Sequence, residues 1–206
     1  MSPTGTSSSK PTDPRLERWL ERLLATPGLT AVRDPVEARR VHLEQSLAAV
    51  PFVDRFRGTI ADVGSGGGAP GIPVASALPA RDVVLLESAR RKCDFLESVA
   101  RDFTNVRVVC GRAEDQPIEQ FGVAVAKALA PPPVAVEWCL PLVAVGGAAI
   151  LLVGPSADVP AAARVAAQLG GGEPEVHPGI LVVPKLVRTP AGFPRRPGIA
   201  RKRPLA

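Results

Sequence analysis

A glycine-rich stretch between a short β-prone segment and a helix-prone segment constrains this chain more than any other feature. The stretch reads Asp-Val-Gly-Ser-Gly-Gly-Gly-Ala-Pro-Gly over residues 62–71. Glycines suit such a turn because they reach positive φ and carry no Cβ that would hold a ligand away from the backbone. A strand, a glycine loop and a helix together bring a nucleotide-like ligand against bare backbone. The stretch predicts an α/β ligand-binding fold.

The spacing of the glycines and the presence of one carboxylate limit the kinds of ligand that the loop could bind. Dinucleotide folds use G-x-G-x-x-G and place the pyrophosphate at a helix N-terminus. Here the glycines fall at Gly64, Gly66 and Gly68, and Asp62 lies two residues before the first of them. A carboxylate there repels a pyrophosphate but attracts an ammonium group. Because S-adenosylmethionine carries an ammonium, a sulfonium and no phosphate, the loop predicts a methyl-donor site with Asp62 on the ammonium.

A second acid supports this interpretation. Residues 83–86 form an apolar run that predicts a second strand, and Glu87 follows it directly. An acid at the tip of the second strand hydrogen-bonds ribose hydroxyls in α/β folds. Glu87 is predicted to hold the ribose of the donor. The plainer alternatives are a merely flexible glycine turn and an acid that is stabilised by the positive end of a following helix.

Length and composition indicate how many domains the chain forms and which classes of protein it does not belong to. Its 206 residues, 46% of them hydrophobic, predict one domain with a sizeable core. Pro and Gly interrupt every apolar run, so no membrane segment is expected, and residues 1–14 are predicted to be a disordered tail. The three cysteines, Cys93, Cys110 and Cys139, are widely spaced and have only two histidines beside them. They suggest neither a disulfide framework nor a metal site, and we expect a cytoplasmic protein with reduced thiols.

Charge is unevenly distributed along the chain. The net charge is +5, yet residues 185–206 contain seven basic residues and no acidic ones, so the rest of the chain is slightly acidic. A basic C-terminal tail over 191–206 predicts a polyanionic partner. A tail that only improves solubility is the alternative.

The periodicity of apolar residues predicts the order of elements. Amphipathic helices over 15–24 and from Pro35 to about Val50, where Pro51 would end the second, form an N-terminal helical cap over 15–58. His42 is expected to be a half-buried histidine of that second helix, and the alternative is that it touches RNA or substrate. Strands and helices then alternate over 59–190, as a parallel sheet covered on both faces requires. Seven strands are predicted, the last of them reversed, at 59–61, 83–86, 106–110, 123–126, 148–153, 175–177 and 180–187.

Several motifs spread from about Leu16 to Leu205 share one family pattern. They are residues 29–35, His42 with 46–47, 62–66 with 70–73, 85–88 with 91–92 and 95–96, 138–139, 193–198 and 202–205. The chain resembles the glucose-inhibited-division-B-type guanine-N7 methyltransferases of 16S ribosomal RNA. The Pro-Gly-Ile-Pro at 70–73 and the Pro-Arg-Arg-Pro-Gly at 194–198 are the most specific parts of this resemblance.

The resemblance implies a class I S-adenosylmethionine-dependent methyltransferase. Its fold would be a Rossmann-like seven-stranded sheet with the last strand antiparallel and an N-terminal helical cap. The cofactor would be S-adenosylmethionine, and the partner would be 16S ribosomal RNA or the small ribosomal subunit. By position, the resemblance places the cofactor against Gly64, Ala69, Ala113, Glu114 and Lys127, and Gly66 of the glycine loop is a further candidate for a cofactor contact. For Glu114 an ordinary surface carboxylate is the alternative.

Methylation of guanine N7 needs no general base, because N7 carries a lone pair and no proton. The enzyme aligns N7, the methyl group and sulfur, so no catalytic nucleophile or metal is expected. Lys127 is the one candidate at the mouth, near the methionine carboxylate or the incoming base. The cations expected to hold RNA phosphates are Arg33, Arg195, Arg196, Arg201, Lys202 and Arg203.

The chain departs from the family pattern at five positions. Lys127 replaces the usual arginine, Gln45 and Gly122 replace aspartates, Gly28 replaces an asparagine and Val153 replaces a lysine that is often found there. These departures keep two alternatives open. One is a methyltransferase paralogue with a different RNA or small-molecule substrate, and the other is a non-catalytic RNA-binding paralogue.

Overall fold

A computed structural model describes residues 13–206, so nearly all of the tail predicted over 1–14 lies outside the described residues. The last two residues of that prediction are ordered instead. Asp13 caps helix α1 (Pro14–Ala25) by accepting a hydrogen bond from the backbone N–H of Arg15 at 2.9 Å. It also accepts one from the Ser76 hydroxyl at 2.6 Å. The Arg15 guanidinium holds the pKa of Asp13 well below its usual range.

Across residues 13–206 seven strands form one sheet in the order β3-β2-β1-β4-β5-β7-β6. The strands are β1 Ile60–Val63, β2 Val83–Glu87, β3 Val106–Cys110, β4 Phe121–Lys127, β5 Val143–Leu152, β6 Glu175–His177 and β7 Ile180–Pro184. Strands β1 to β5 are mutually parallel, and β7 is antiparallel to both β5 and β6. The predicted class I sheet with its last strand reversed is confirmed.

Helices cover both faces of the sheet. The longer ones are α5 Gly71–Ala77, α6 Arg90–Ala100, α7 Pro132–Cys139 and α8 Val159–Gln168. Because side chains alternate along a strand, Val63 and Leu86 face the cluster that includes α7 and α8. Ile60 and Leu85 face the cluster that includes α1, α5 and α6. Both faces of the central strands are therefore apolar and buried. Within residues 13–206 no helix has the length and apolar character needed to cross a membrane.

The second helix of the cap differs from the prediction. Instead of one helix to about Val50, the chain forms α2 (Pro35–Ala38), a π-helical turn (Arg39–Glu44), α3 (Gln45–Leu47) and α4 (Val50–Val53). Pro51 does not end a helix but lies in the first turn of α4. Proline is tolerated there because first-turn N–H groups have no intrahelical acceptor. Single π-helical turns occur frequently at functional sites.

Helix α1 packs against the glycine loop. The indole Nε1 of Trp19 donates a hydrogen bond to the carbonyl oxygen of Gly67 at 2.8 Å. Leu23 lies so close to Gly67 that a Cβ at that position would overlap it. The cap therefore supports the loop from the side opposite to the strand.

The structure pairs Cys93 and Cys110 in a disulfide, with their Cα atoms 5.8 Å apart. The expectation of reduced thiols without a disulfide is wrong for these two residues. The packing of α6 against β3 brings them together, and their separation of 17 residues carries no signal of it. Cys139 is free and buried, and burial raises the pKa of its thiol.

Candidate functional site

The loops after β1, β2, β3 and β4 meet at the carboxyl edge of the sheet and enclose two cavities. Cavity A, of about 140 Å³, is lined by Gly64, Ser88, Ala113, Glu114 and Trp138, among others. Cavity B, of about 240 Å³, lies on the other side of the loop, and its lining includes Gly64, Gly66, Ala69, His42 and Lys127. The loop glycine Gly64 is common to both cavities. Ligands of open α/β sheets bind at this edge of the sheet.

The glycine loop presents bare backbone because side chains do not fit at two of its positions. Gly64 has a φ of +71°, and a Cβ there would run into Leu129. A Cβ on Gly71 would lie 2.6 Å from Oδ2 of Asp62. The hydroxyl of Ser65 donates to the carbonyl oxygen of Asp62 at 2.8 Å and closes the turn.

Asp62 lies beneath this loop and is fully buried, with 0% exposure. Its Oδ2 accepts a hydrogen bond from the backbone N–H of Gly71 at 3.0 Å. Its Oδ1 has no hydrogen-bond partner among residues 13–206. Burial raises the pKa of the Asp62 carboxyl to about 7. The site thus contains a buried carboxylate oxygen that lacks a donor.

Glu87 lies at the tip of β2 and joins the glycine loop to the next turn. Its Oε2 accepts from the backbone N–H of Gly66 at 3.0 Å. Its Oε1 accepts from the N–H groups of Ser88 and Ala89, each at 2.8 Å. The carboxylate is therefore held at the junction of the two loops, where the sequence places a ribose-binding acid.

The cap brings a histidine and a lysine together at cavity B. Lys127, the last residue of β4, donates a hydrogen bond from Nζ to the carbonyl oxygen of Val41 in the π-helical turn. Burial lowers the pKa of Lys127 to about 8. His42 Nε2 is hydrogen-bonded to Thr30 Oγ1 at 2.8 Å, and burial, together with the charge of Lys127, lowers the pKa of the imidazole. Ala128, directly after Lys127, has a φ of +50°.

A non-glycine residue at positive φ carries backbone strain, and such residues cluster at functional sites. Ala128 lies at the end of β4 and lines cavity B together with Lys127. His42 is half-buried, as predicted, and it also lines cavity B, where the alternative prediction of a contact with substrate would place it. The one signal for it in the sequence was its membership of the family motifs, since periodicity places it on the helix without saying what it faces.

The C-terminal segment covers cavity A and is not a free tail. The backbone N–H of Gly198 donates to Oε1 of Glu114 at 3.1 Å. Arg201, in the short helix α9 (Ile199–Lys202), donates to the carbonyl oxygen of Leu129 at 3.2 Å, and its guanidinium carbon lies 5.3 Å from the centroid of the Trp138 ring. Trp138 and Leu129 are cavity residues that the sequence-based site did not include.

Arg195 anchors this segment. Its guanidinium donates to both carboxylate oxygens of Glu137, at 2.5 and 2.6 Å, and Glu137 is only 3% exposed. Arg195 is thus paired with a buried carboxylate 58 residues away along the chain, and its contact with RNA phosphate stays a prediction. The other predicted RNA-binding cations are all exposed: Arg33, Arg196, Arg201, Lys202 and Arg203.

The five residues that depart from the family pattern lie in different parts of the structure. Gly122 lies at the opposite end of β4, where a Cβ would clash with the backbone carbonyl of Arg57, so it does not alter the site. Gly28 has a φ of +80°, a conformation that glycine and asparagine tolerate best. By contrast Gln45, Lys127 and Val153 all line cavity C, a third space of about 450 Å³ beside cavity B.

Comparisons with known proteins agree with this geometry. The family model described as rRNA small subunit methyltransferase G, GidB, matches residues 14–169. A ribosomal RNA small subunit methyltransferase G from Carboxydothermus hydrogenoformans is 38% identical over 196 residues, which cover 86% of this chain and 83% of that protein. One of the same name from Synechococcus elongatus is 35% identical over 198 residues, which cover 86% and 82%.

Solved structures share the fold at low sequence identity. A SAM-dependent O-methyltransferase from Thermotoga maritima superposes with a TM-score of 0.59 and 15% identity, covering 80% of this chain and 73% of that one. The 16S rRNA N2 G1207 methyltransferase RsmC of T. thermophilus, in complex with AdoMet and guanosine, gives a TM-score of 0.55 and 17% identity, covering 80% and 42%. The fold is that of the class I S-adenosylmethionine-dependent methyltransferases.

Proposed function

Since the chain belongs to the GidB family, rRNA small subunit methyltransferase G, we propose that it methylates N7 of a guanine in 16S ribosomal RNA. S-adenosylmethionine is the donor, and the 16S RNA or the small ribosomal subunit in the cytoplasm is the partner. The observation that carries the proposal is the bare glycine loop, which lies between two cavities and above a buried carboxylate whose Oδ1 lacks a partner.

The residues of the site fit this donor. Cavity A takes the nucleoside, with Glu87 on the ribose hydroxyls and Ala113 and Glu114 beside the adenine. Cavity B takes the methionine part over Gly64, Gly66 and Ala69. Asp62 attracts the ammonium, because a cation nearby stabilises the ionised form of a carboxyl whose pKa burial has raised to about 7. When bound, the donor supplies an electrophilic methyl group on a sulfonium.

Lys127 is assigned to the carboxylate of the methionine part. Guanine gains positive charge as N7 becomes methylated, so a lysine cation against the base would oppose the transfer. A lysine cation on a carboxylate is instead favourable and holds the donor in place. Because N7 needs no base to accept the methyl group, the chain contributes alignment and exclusion of water.

The cap and the C-terminal segment carry the exposed cations that would hold RNA. Arg33 lies on the cap, and Arg196, Lys202 and Arg203 lie on the C-terminal segment, all of them exposed. Contacts to phosphates give affinity without sequence specificity and make binding depend on salt. The target guanine would enter between these two groups of cations.

One observation favours a second candidate, a methyltransferase with a different substrate. Three of the five departures, Gln45, Lys127 and Val153, line one cavity next to the donor site. Changes clustered around one space suggest a changed occupant. Gly122, at the far edge of the sheet, gives this candidate no support.

Titration calorimetry with S-adenosylmethionine, followed by a radiolabel transfer assay, tests the proposal. The wild type should bind the donor, and Glu87→Gln should bind it more weakly. Glu97→Gln, an exposed acid on α6 remote from both cavities, is the matched control and should bind as the wild type does. Small-subunit RNA from cells that lack the modification should then accept the label. Donor binding without transfer would favour the second candidate, and a folded wild type that binds no donor would leave the non-catalytic RNA-binding protein.

A further inference from the structure

Trp138 carries a hydrogen-bond donor that nothing in the described chain accepts. The side chain lines cavity A and is 8% exposed, and its indole Nε1 has no partner among residues 13–206. The other tryptophan behaves differently, since Trp19 Nε1 donates to the Gly67 carbonyl at 2.8 Å. Buried indole N–H groups normally find an acceptor. The unmet donor of Trp138 therefore points to a ligand that supplies one.

The surroundings of the indole define that ligand. Cavity A is lined by apolar residues at or near the strand ends, including Val63, Leu86 and Ala113, and by polar and charged residues, including Ser88 and Glu114. Arg201 holds the indole, with its guanidinium carbon 5.3 Å from the centroid of the ring. The carboxylate of Glu114 already accepts a hydrogen bond from Gly198. The indole N–H thus remains a donor without an acceptor among residues 13–206, at a cavity that is partly apolar.

We infer that Trp138 binds the nucleobase of the methyl donor, with its indole N–H donating a hydrogen bond to a ring nitrogen of adenine. Adenine carries such acceptors at N1, N3 and N7, and an indole is a donor only. The inference rests on the proposed function, because it takes cavity A as the nucleoside site. Trp138 is then a cofactor-binding residue. Arg201, which the sequence predicted only as a contact for RNA, is the residue that positions Trp138.

The test is Trp138→Phe, which keeps an aromatic ring and removes the N–H. The dissociation constant for S-adenosylhomocysteine, measured by calorimetry, should rise about 5- to 30-fold, the loss expected for one buried hydrogen bond. The melting temperature of the ligand-free variant should fall only modestly, because the smaller ring loses packing while an unsatisfied buried donor is removed. Glu97→Gln, an exposed acid on α6 that lines neither cavity, is the control, and it should leave the affinity for the ligand close to that of the wild type.

Deaza analogues identify the acceptor. One of 1-deaza-, 3-deaza- and 7-deaza-S-adenosylhomocysteine should bind the wild type as weakly as the natural ligand binds Trp138→Phe, and should lose nothing more in the variant. Unchanged affinity in Trp138→Phe, or equal losses for all three analogues in both proteins, would overturn the inference and leave the proposed function standing. A folded wild type that binds neither S-adenosylmethionine nor S-adenosylhomocysteine would overturn the proposed function itself, and the inference with it.

Discussion

Replacing Asp62 by asparagine should change how the stability of the protein depends on pH. Burial raises the pKa of this carboxyl from 3.8 to about 7 in the folded chain. The folded state therefore holds a proton between these two values that the unfolded state has released. The stability contributed by this group is complete below pH 4 and is lost as the pH rises to 7. A shift of about three units at 1.36 kcal/mol each amounts to roughly 4 kcal/mol.

Urea unfolding of the wild type and Asp62→Asn between pH 4.5 and 8 measures this term. The difference between their free energies of unfolding removes the contributions of all other titrating groups, provided that these are unaffected by the substitution. That difference should move by several kcal/mol in favour of the variant as the pH rises to 7, and it should be level above pH 7. A difference that is independent of pH would show that Asp62 holds no proton in the folded state between pH 4.5 and 8. It would refute the description of Asp62 as a buried carboxyl with a raised pKa.

Three further predictions follow from other contacts. Arg195→Ala should lower the free energy of unfolding by about 3 kcal/mol, because it leaves Glu137 buried without its cation. Urea unfolding measures this, and the double variant Arg195→Ala/Glu137→Gln should recover part of the loss. The disulfide joins two residues that are 17 positions apart, and its reduction should lower the free energy of unfolding by about 3 kcal/mol. Urea unfolding with and without reductant measures this, and an unchanged midpoint would contradict it. Replacing three exposed cations, Arg196, Lys202 and Arg203, by alanine should weaken the salt dependence of binding to 16S RNA. The slope of the logarithm of the binding constant against the logarithm of the salt concentration should become smaller in magnitude by about 2 to 3 units. An unchanged slope would exclude these cations from the RNA interface.

The local pattern of the sequence predicts the sheet well because each central strand is an apolar run bounded by turn residues. Strands β3 and β6 are found at the predicted residues, 106–110 and 175–177. The glycine loop and the acid after β2 are also local features, and the structure brings them to one edge of the sheet. Helix ends near proline were harder to predict, because Pro51 can either stop one helix or begin the next.

The contacts that escaped prediction join residues distant in the chain. The pairing of Arg195 with Glu137 and that of Cys93 with Cys110 depend on how helices pack on the sheet, which no local pattern records. The place of His42 depends on a π-helical turn that meets the end of β4. Sequence reasoning therefore placed the glycine loop, Glu114 and Lys127 at these cavities but missed Trp138 and Leu129, which also line cavity A.

Trp138 shows the same limit within the site itself. Its ring belongs to a helix that is buried along its length, and the sequence gives no indication that its N–H lacks an acceptor. The absence of a partner becomes visible only when the C-terminal segment is in place over cavity A. A donor left without an acceptor is a property of the assembled fold.

The reaction proposed for this protein is transfer of a methyl group to guanine N7 of small-subunit RNA. The most direct measurement incubates the wild type with labelled S-adenosylmethionine and small subunits that lack the modification, and then treats the RNA with borohydride and aniline, which cleave the chain at N7-methylguanosine. We expect stoichiometric label and a single new cleavage site in 16S RNA. Label without cleavage would contradict the assignment to N7, and no label from a protein that binds the donor would contradict the assignment to this RNA.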